Sequence, residues 1–246
     1  MQVSLIDYTG AGSPDPARFA ANVLIFTKST RLEMSPGLMD SVAKMTEQEV
    51  IKELTYMANT IPSSWEFCSY TFLISGVTRA FTHQFVRTRT ASFAQQTMRV
   101  LNVDGWRYGT GPTVLDDEKR TDVYNGVMGA IDQGYRDLIS QGAAIEDARG
   151  VLPTNILTNI VAKFDLRALA DLKRKRASTR TQGEYRDVMD AMLAEAVRAH
   201  PWVSLFLDRT FDKAAAELEQ QIIAVNPPGQ QRTDMIKLLD QLRATA

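Results

Sequence analysis

The chain has 246 residues, 44% of them hydrophobic and 23% charged, with a formal net charge of -1. That is the make-up of a water-soluble globular protein, and a charge so near zero gives no overall pull toward nucleic acid, so any anion binding must be local. No apolar run approaches the roughly 18 residues that span a bilayer, one cysteine excludes an internal disulfide and fits a reducing cytosol, and Cys68, His83 and His200 are too few for a protein zinc site.

The first ten residues lack a basic region followed by a long apolar core, so no secretion signal is expected and a cytoplasmic location is. Residues 3–8 read as a strand, and Gly10-Ala11-Gly12-Ser13-Pro14-Asp15-Pro16 as a turn without the lysine of a phosphate-binding loop. Residues 17–28 have helical spacing through Phe19, Val23 and Phe26. Thr46, followed by Glu47 and Glu49, caps a further helix whose apolar positions are Val50, Ile51, Leu54 and Met57. Ile61-Pro62-Ser63-Ser64 breaks it. Tyr70, Phe72 and Ile74 then alternate with Ser69, Thr71 and Leu73, a strand expected to be covered on both sides for much of its length and to end at Gly76. Cys68 in this apolar setting reads as buried and structural, since nothing adjacent would lower its pKa.

Val77, Ala80, Phe81 and Phe85 form one face of a helix that leads into residues 84–99. That stretch carries Arg87, Arg89 and Arg99, three glutamines and several hydroxyls, with no acid to neutralise them. It is either a solvated basic loop or a cradle for an anion such as a nucleotide phosphate. His83 reads as structural, because no carboxylate or thiol in the local sequence would orient it for proton transfer. Residues 101–118, rich in glycine, read as loop with a short strand around 106–108. Residues 119–141 give the clearest helical stripe, Val123, Val127, Ile131, Tyr135 and Leu138, suited to core or subunit contact.

Residues 157–166 can form a second strand, followed by a helix with a conflict. Leu169 and Leu172 define its inner side, and at 100° per residue Arg176 falls between them. An arginine on an apolar face needs an anionic partner, which could be Asp165, Asp171 or a ligand. Lys173, Arg174 and Lys175 add a basic run. Helices follow at 182–197, from 201, and at 214–225, and a last one through Met235, Leu238, Leu239 and Leu242 should dock on this or a neighbouring subunit. With no repeat and no credible linker, the chain reads as a single domain, 1–246, with a C-terminal helical extension at about 227–246.

These segments resemble the flavin-dependent thymidylate synthases. The family signature Arg-His-Arg, two residues, Ser, four residues, Ser, one residue, Arg reads here as Arg87-Thr88-Arg89, Ser92, Thr97, Arg99. Similar flanks are Glu66, Ser69-Tyr70-Thr71-Phe72, Gly76-Val77-Thr78-Arg79-Ala80, His83-Gln84, Ala148-Arg149-Gly150-Val151-Leu152-Pro153 and Leu166-Arg167-Ala168-Leu169, then Arg176, Arg180, Gln182 and Glu184. Several dispersed segments in the right order, over about residues 60–190, are far more specific than one motif.

The resemblance implies an α/β (α+β) fold with a twisted, largely antiparallel sheet flanked by helices. It also implies a homotetramer with active sites between subunits, and FAD, a pyrimidine nucleoside monophosphate, methylenetetrahydrofolate and NADPH as ligands. Carried over by position, Gln84, Arg87, Gln95, Gln96, Thr97, Met98, Arg99 and Arg149 line the nucleotide. Arg176 matches the catalytic arginine that stabilises negative charge on the pyrimidine as C5 becomes nucleophilic. Ser63, Arg87, Thr88, Arg89, Gln95, Asp165, Arg167 and Asp171 match flavin contacts. No metal is implied.

Departures from the pattern are Thr88 and Ile61 where the family has histidines, Thr97 for serine, Val100 for an aromatic, Asp165 for asparagine, and Lys175 for an apolar residue. They suggest weaker flavin binding or a changed substrate, as in a specialised branch such as the UMP/dUMP methylases of nucleoside-antibiotic (polyoxin-type) pathways. A pyrimidine nucleotide hydroxymethylase on the same scaffold, a nucleic-acid-binding protein using the basic clusters, and a degenerate homologue kept for assembly are the alternatives.

Overall fold

A computed structural model describes residues 1–29, 34–99, 107–176, 182–208, 210–226 and 228–245. In chain order its elements begin with β1 (Gln2–Tyr8), α1 (Pro16–Lys28), α2 (Pro36–Ala43), α3 (Glu47–Thr60), β2 (Ser69–Thr78), α4 (Arg79–Phe85) and β3 (Ser92–Gln95). They continue with α5 (Pro112–Leu115), α6 (Glu118–Ser140), α7 (Ile145–Ala148), β4 (Leu157–Asp165), α8 (Leu166–Arg176), α9 (Gly183–Ala199), α10 (Ser204–Leu207), α11 (Thr210–Val225) and α12 (Gln230–Thr245). The fold is mixed α/β, with one open antiparallel sheet of order β1-β2-β4-β3. No helix among the described residues is long and apolar enough to cross a membrane.

The packing divides the chain into two compact units, one of Met1–Ile6, Thr71–Lys163 and Gln182–Met192, the other of Asp7–Tyr70, Phe164–Thr181 and Leu193–Ala246. The first is built on aromatic packing around α4. Phe81 stacks on Phe85 with centroids 4.9 Å apart, Tyr185 meets Phe81 edge-on at 5.2 Å, and Phe93 meets Phe85 edge-on at 5.1 Å. A second cluster buries Met98, Tyr135, Ala148 and Ile156. The stripe predicted on α6 is mostly outside it. Tyr135 is buried, but Val123 is 70% and Val127 50% exposed.

In β2, Tyr70, Phe72 and Ile74 are buried as the alternation predicts, while the opposite face is half-buried at Ser69, Thr71 and Ser75, buried at Val77 and exposed at Leu73. Gly76 does not end this strand, which runs on to Thr78. Its φ of +68° lets the chain pass through the left-handed region without stopping the pairing. The basic stretch also differs from expectation. The helix stops at Phe85, a turn follows, and Ser92–Gln95 becomes β3, paired antiparallel with β4 in the register Ser92↔Lys163 to Gln95↔Ile160. Its sequence has no strong alternation, so pairing with β4 imposes the strand.

In the second unit, α1 begins at an Asp15 cap whose carboxylate accepts from Arg18 N at 2.9 Å. Its buried stripe is Ala20, Ala21, Leu24 and Ile25, one position on from the predicted one. Phe19 is exposed and instead lies over the turn at Gly10, whose φ of +85° and closeness to Pro16 O leave no room for a side chain. α2 has no counterpart in the sequence reading. α3 has the predicted start, with a full capping box between Thr46 and Glu49, and buries Val50, Leu54 and Met57 while Ile51 stays outside. α12 docks on α11 of its own chain through Leu239 and Ile236 against Ala215 and Ile222. Val100, residues 101–106 and Arg180 lie outside the described residues.

Candidate functional site

In the first unit the candidate residues hang from α4 and β3. Glu184 clamps the start of α4, where Thr78 N donates to Glu184 Oε1 at 2.7 Å and Thr78 Oγ1 to Oε2 at 2.5 Å, while Thr78 Oγ1 accepts from Phe81 N. At the other end of the helix, Gln84 Nε2 donates to Gln182 Oε1 at 3.0 Å. Val86–Ala91 is a turn, with Thr88 N donating to Phe85 O at 3.1 Å and Ala91 N to Thr88 O at 3.2 Å. It presents Arg87 and Arg89 to solvent, and among the described residues no ion pair holds either.

β3 is fixed on both sides. Gln95 Nε2 donates to Thr82 Oγ1 at 2.9 Å. Gln96 N donates to Asn159 O at 2.9 Å, and Asn159 Nδ2 to Gln96 Oε1 at 2.9 Å. Met98 is buried against Tyr135, Ala148 and Ile156. Thr97 Oγ1 accepts from Arg99 N at 3.1 Å. Glu146 gathers two cations, its carboxylate pairing with Arg99 Nε at 2.9 Å and its carbonyl accepting from Arg149 Nε at 3.1 Å.

The residue that the sequence reading missed is Arg79. One of its guanidinium nitrogens, Nη2, reaches Gln96 O at 3.3 Å, but Nε is buried with no partner. Burial, and then the Arg149 cation, push its pKa below the ordinary arginine value. A buried, unsatisfied guanidinium N–H next to a second cation is a place for an anion. The signal was present in the sequence as an arginine interrupting the apolar run from Val77 to Phe81.

The second unit holds the other candidates. Ser63 is exposed on a 3-10 turn, Pro62–Phe67. Asp165 ends β4 and caps α8, its Oδ1 accepting from Ala168 N at 2.7 Å, while burial and then the Glu66 charge raise its carboxyl pKa. Arg167 pairs with Glu66 at 2.7 Å, and Asp171 pairs with Arg174 rather than waiting for Arg176. Arg176 is the half-buried last residue of α8, with Leu169 and Leu172 buried behind it as the helical spacing predicted.

The chemistry-bearing residues that the candidate site does not use are closed on one another. His200 Nε2 faces Thr9 O at 3.1 Å and so carries the proton, which leaves Nδ1 to accept from Tyr70 Oη at 2.8 Å. Tyr70 Oη in turn accepts from the Cys68 thiol at 3.3 Å. Cys68, Tyr70 and His200 are each fully buried. Burial pushes the Cys68 thiol up to about 11 and the His200 imidazole down to about 4. This is the inert, structural cysteine that the sequence predicted. His83 lies exposed on α4.

Residues 4–202 match the family model described as "Thymidylate synthase complementing protein". The chain belongs to this family. Three relatives of the thymidylate synthase complementing family are each named flavin-dependent thymidylate synthase. The one from Clostridium tetani is 32% identical over 222 residues, covering 82% of this chain and 84% of the relative. That from Geobacter sulfurreducens is 33% identical over 197 residues, 78% and 81% of the two chains. That from Sulfolobus acidocaldarius is 30% identical over 206 residues, 82% and 74%. The family match takes in α4, β3, β4, α8 and α9, and ends before α11 and α12.

Proposed function

We propose that the protein is a flavin-dependent enzyme that methylates C5 of a uridine monophosphate, dUMP or UMP, using methylenetetrahydrofolate as carbon donor and NADPH as reductant. The family relatives' shared name supports the flavin and the thymidylate product. The observation that carries the nucleotide half is the buried, unpartnered Nε of Arg79 beside the Arg149 cation. Arg79, Arg99 and Arg149, with Glu146 as shared counter-charge, suit a phosphate dianion. Gln84, Arg87, Gln95, Gln96, Thr97 and Met98 would line the rest of the nucleotide.

The donor set also fits a flavin dinucleotide. Arg87 and Arg89, exposed and in no ion pair among the described residues, suit its pyrophosphate. Arg167 is tied only in an exposed pair with Glu66, which a ligand can displace at small cost. Ser63, Thr88, Gln95, Asp165 and Asp171 would complete that set. Reduced flavin, when bound, supplies the hydride that completes the methyl group. Arg176 would hold its cation against the electron-rich pyrimidine, favouring the charge that develops as C5 attacks the donated carbon. The working assembly is a homotetramer in the cytoplasm with sites between subunits, and Val123 and Val127, exposed on α6, suit a subunit contact.

The test is product formation. The flavin-loaded chain is incubated with NADPH, isotopically labelled methylenetetrahydrofolate and either dUMP or UMP. Labelled 5-methyl nucleotide from one of them is expected, and Arg79→Ala should raise the nucleotide KM by about 10-fold or more. Flavin-loaded protein that methylates neither nucleotide would overturn the reading.

A further inference from the structure

A cavity of about 550 Å³ in the first unit is lined by Gln96, Asn159, Arg107, Ser75, Gly76 and Thr158 among others. Among the described residues no acidic side chain lines it. Its hydrogen-bonding sense can be read outward from one backbone group. Gly76 N can only donate, and it meets the side chain of Asn159 at 3.1 Å, so the atom facing it is Oδ1. The other end of that amide is therefore Nδ2, a donor, 2.9 Å from Gln96, and the Gln96 atom it meets must be the acceptor Oε1. What remains is Gln96 Nε2, with two N–H groups and no partner among the described residues. The main chain reinforces the arrangement, since Gln96 N donates to Asn159 O at 2.9 Å and Arg79 Nη2 to Gln96 O. Gln96 cannot turn over without setting its nitrogen against Asn159 Nδ2.

We propose that Asn159 is a positioning residue that commits Gln96 to donate into this cavity, and that the cavity receives an oxygen acceptor, carbonyl or phosphoryl, of a substrate. The Arg107 guanidinium on the same wall favours the same chemistry. Two sources offer such oxygens, the pyrimidine nucleotide and the reduced folate. The inference rests on the methylase reading for the names of those substrates, while the donor sense of the cavity stands on the hydrogen bonds alone.

The test compares Asn159→Asp, Asn159→Ala and Gln96→Met in the flavin-loaded enzyme. Asn159→Asp keeps an oxygen for Gly76 N–H but has no donor for Gln96, whose amide must turn and aim Oε1 into the cavity. KM for one substrate should rise about 10-fold or more, with kcat within about 3-fold. A rise for the nucleotide assigns the cavity to it, and a rise for the folate assigns it there. Asn159→Ala, which leaves Gln96 free to choose its sense, should cost less than Asn159→Asp, although it removes more structure. Gln96→Met should match Asn159→Asp, and the double variant should be no worse than either, whereas a carboxylate acting by charge alone would add to the loss. If the wild-type chain methylates neither nucleotide, the methylase reading has failed on its own. Calorimetric binding of dUMP, UMP and the folate to the same variants then decides the donor assignment by the same rank order. Affinities within 2-fold of wild type for both single variants, or a larger loss for Asn159→Ala than for Asn159→Asp, would overturn it.

Discussion

Two polar regions of this protein are built in opposite ways. The group around Cys68, Tyr70 and His200 holds the side chains most often associated with nucleophilic and acid-base chemistry, yet each is fully buried and spent on a neighbour. The region of α4 and β3 holds arginines, glutamines and threonines, none an obvious catalyst, and leaves donors open at Arg79 Nε, Gln96 Nε2, Arg87 and Arg89. A closed hydrogen-bond circuit stabilises the fold, whereas one with a missing acceptor marks where a ligand belongs. Reactivity of residue type, taken alone, points to the closed region instead.

The comparison breaks first at Arg176. If the arginines of the candidate site carry the chemistry, Arg176→Ala should lower kcat about 10²–10³-fold in steady-state assays. Next comes the closed region. Tyr70→Phe takes the hydroxyl from His200 Nδ1 and leaves it only the Cys68 thiol at 3.7 Å, and should cost about 1–3 kcal/mol in urea unfolding with turnover per folded molecule unchanged.

Acid should act on the same circuit. His200 is held neutral in the folded chain with a pKa of about 4 against the ordinary 6.5. Below 6.5 the unfolded chain takes up a proton that the folded one refuses. Stability from this residue is therefore full above pH 6.5 and declines as pH falls toward 4, by about 3 kcal/mol at most. Urea midpoints at pH 7.5, 5.5 and 4.5 would show it, and His200→Gln should flatten the trend. The smallest effect is expected at Cys68. Cys68→Ala should leave kcat and KM unchanged and resist thiol reagents no better than wild type, since the native thiol is buried and pushed up to about 11.

Much of the candidate site was legible in the sequence, because a run of like charge and a charge on an apolar helix face are local properties. Arg87, Arg89 and Arg99 stood out for want of acids, and Arg176 for its place between Leu169 and Leu172 on a helical face. The long helices and β4 were legible from periodicity and caps, Thr46 with Glu49 above all. What was not legible depends on partners distant in sequence. Ser92–Gln95 is a strand because β4 pairs with it. Gly76 continues a strand that its residue type would have ended. Arg79 looked like one of several flanking matches until burial left its Nε without an acceptor. The stripe on α1 was misplaced because small alanines, not the larger Phe19, turn toward the core.

The most direct measurement is the visible absorption spectrum of the purified chain titrated with FAD, followed anaerobically as NADPH is added with and without dUMP or UMP. The account predicts a bound-flavin spectrum that bleaches, at a rate that one of the two nucleotides changes and that Arg79→Ala makes indifferent to it. Absence of flavin binding at saturating FAD would contradict it, and would trace the loss to Thr88 and Ile61, where the family pattern carries histidines.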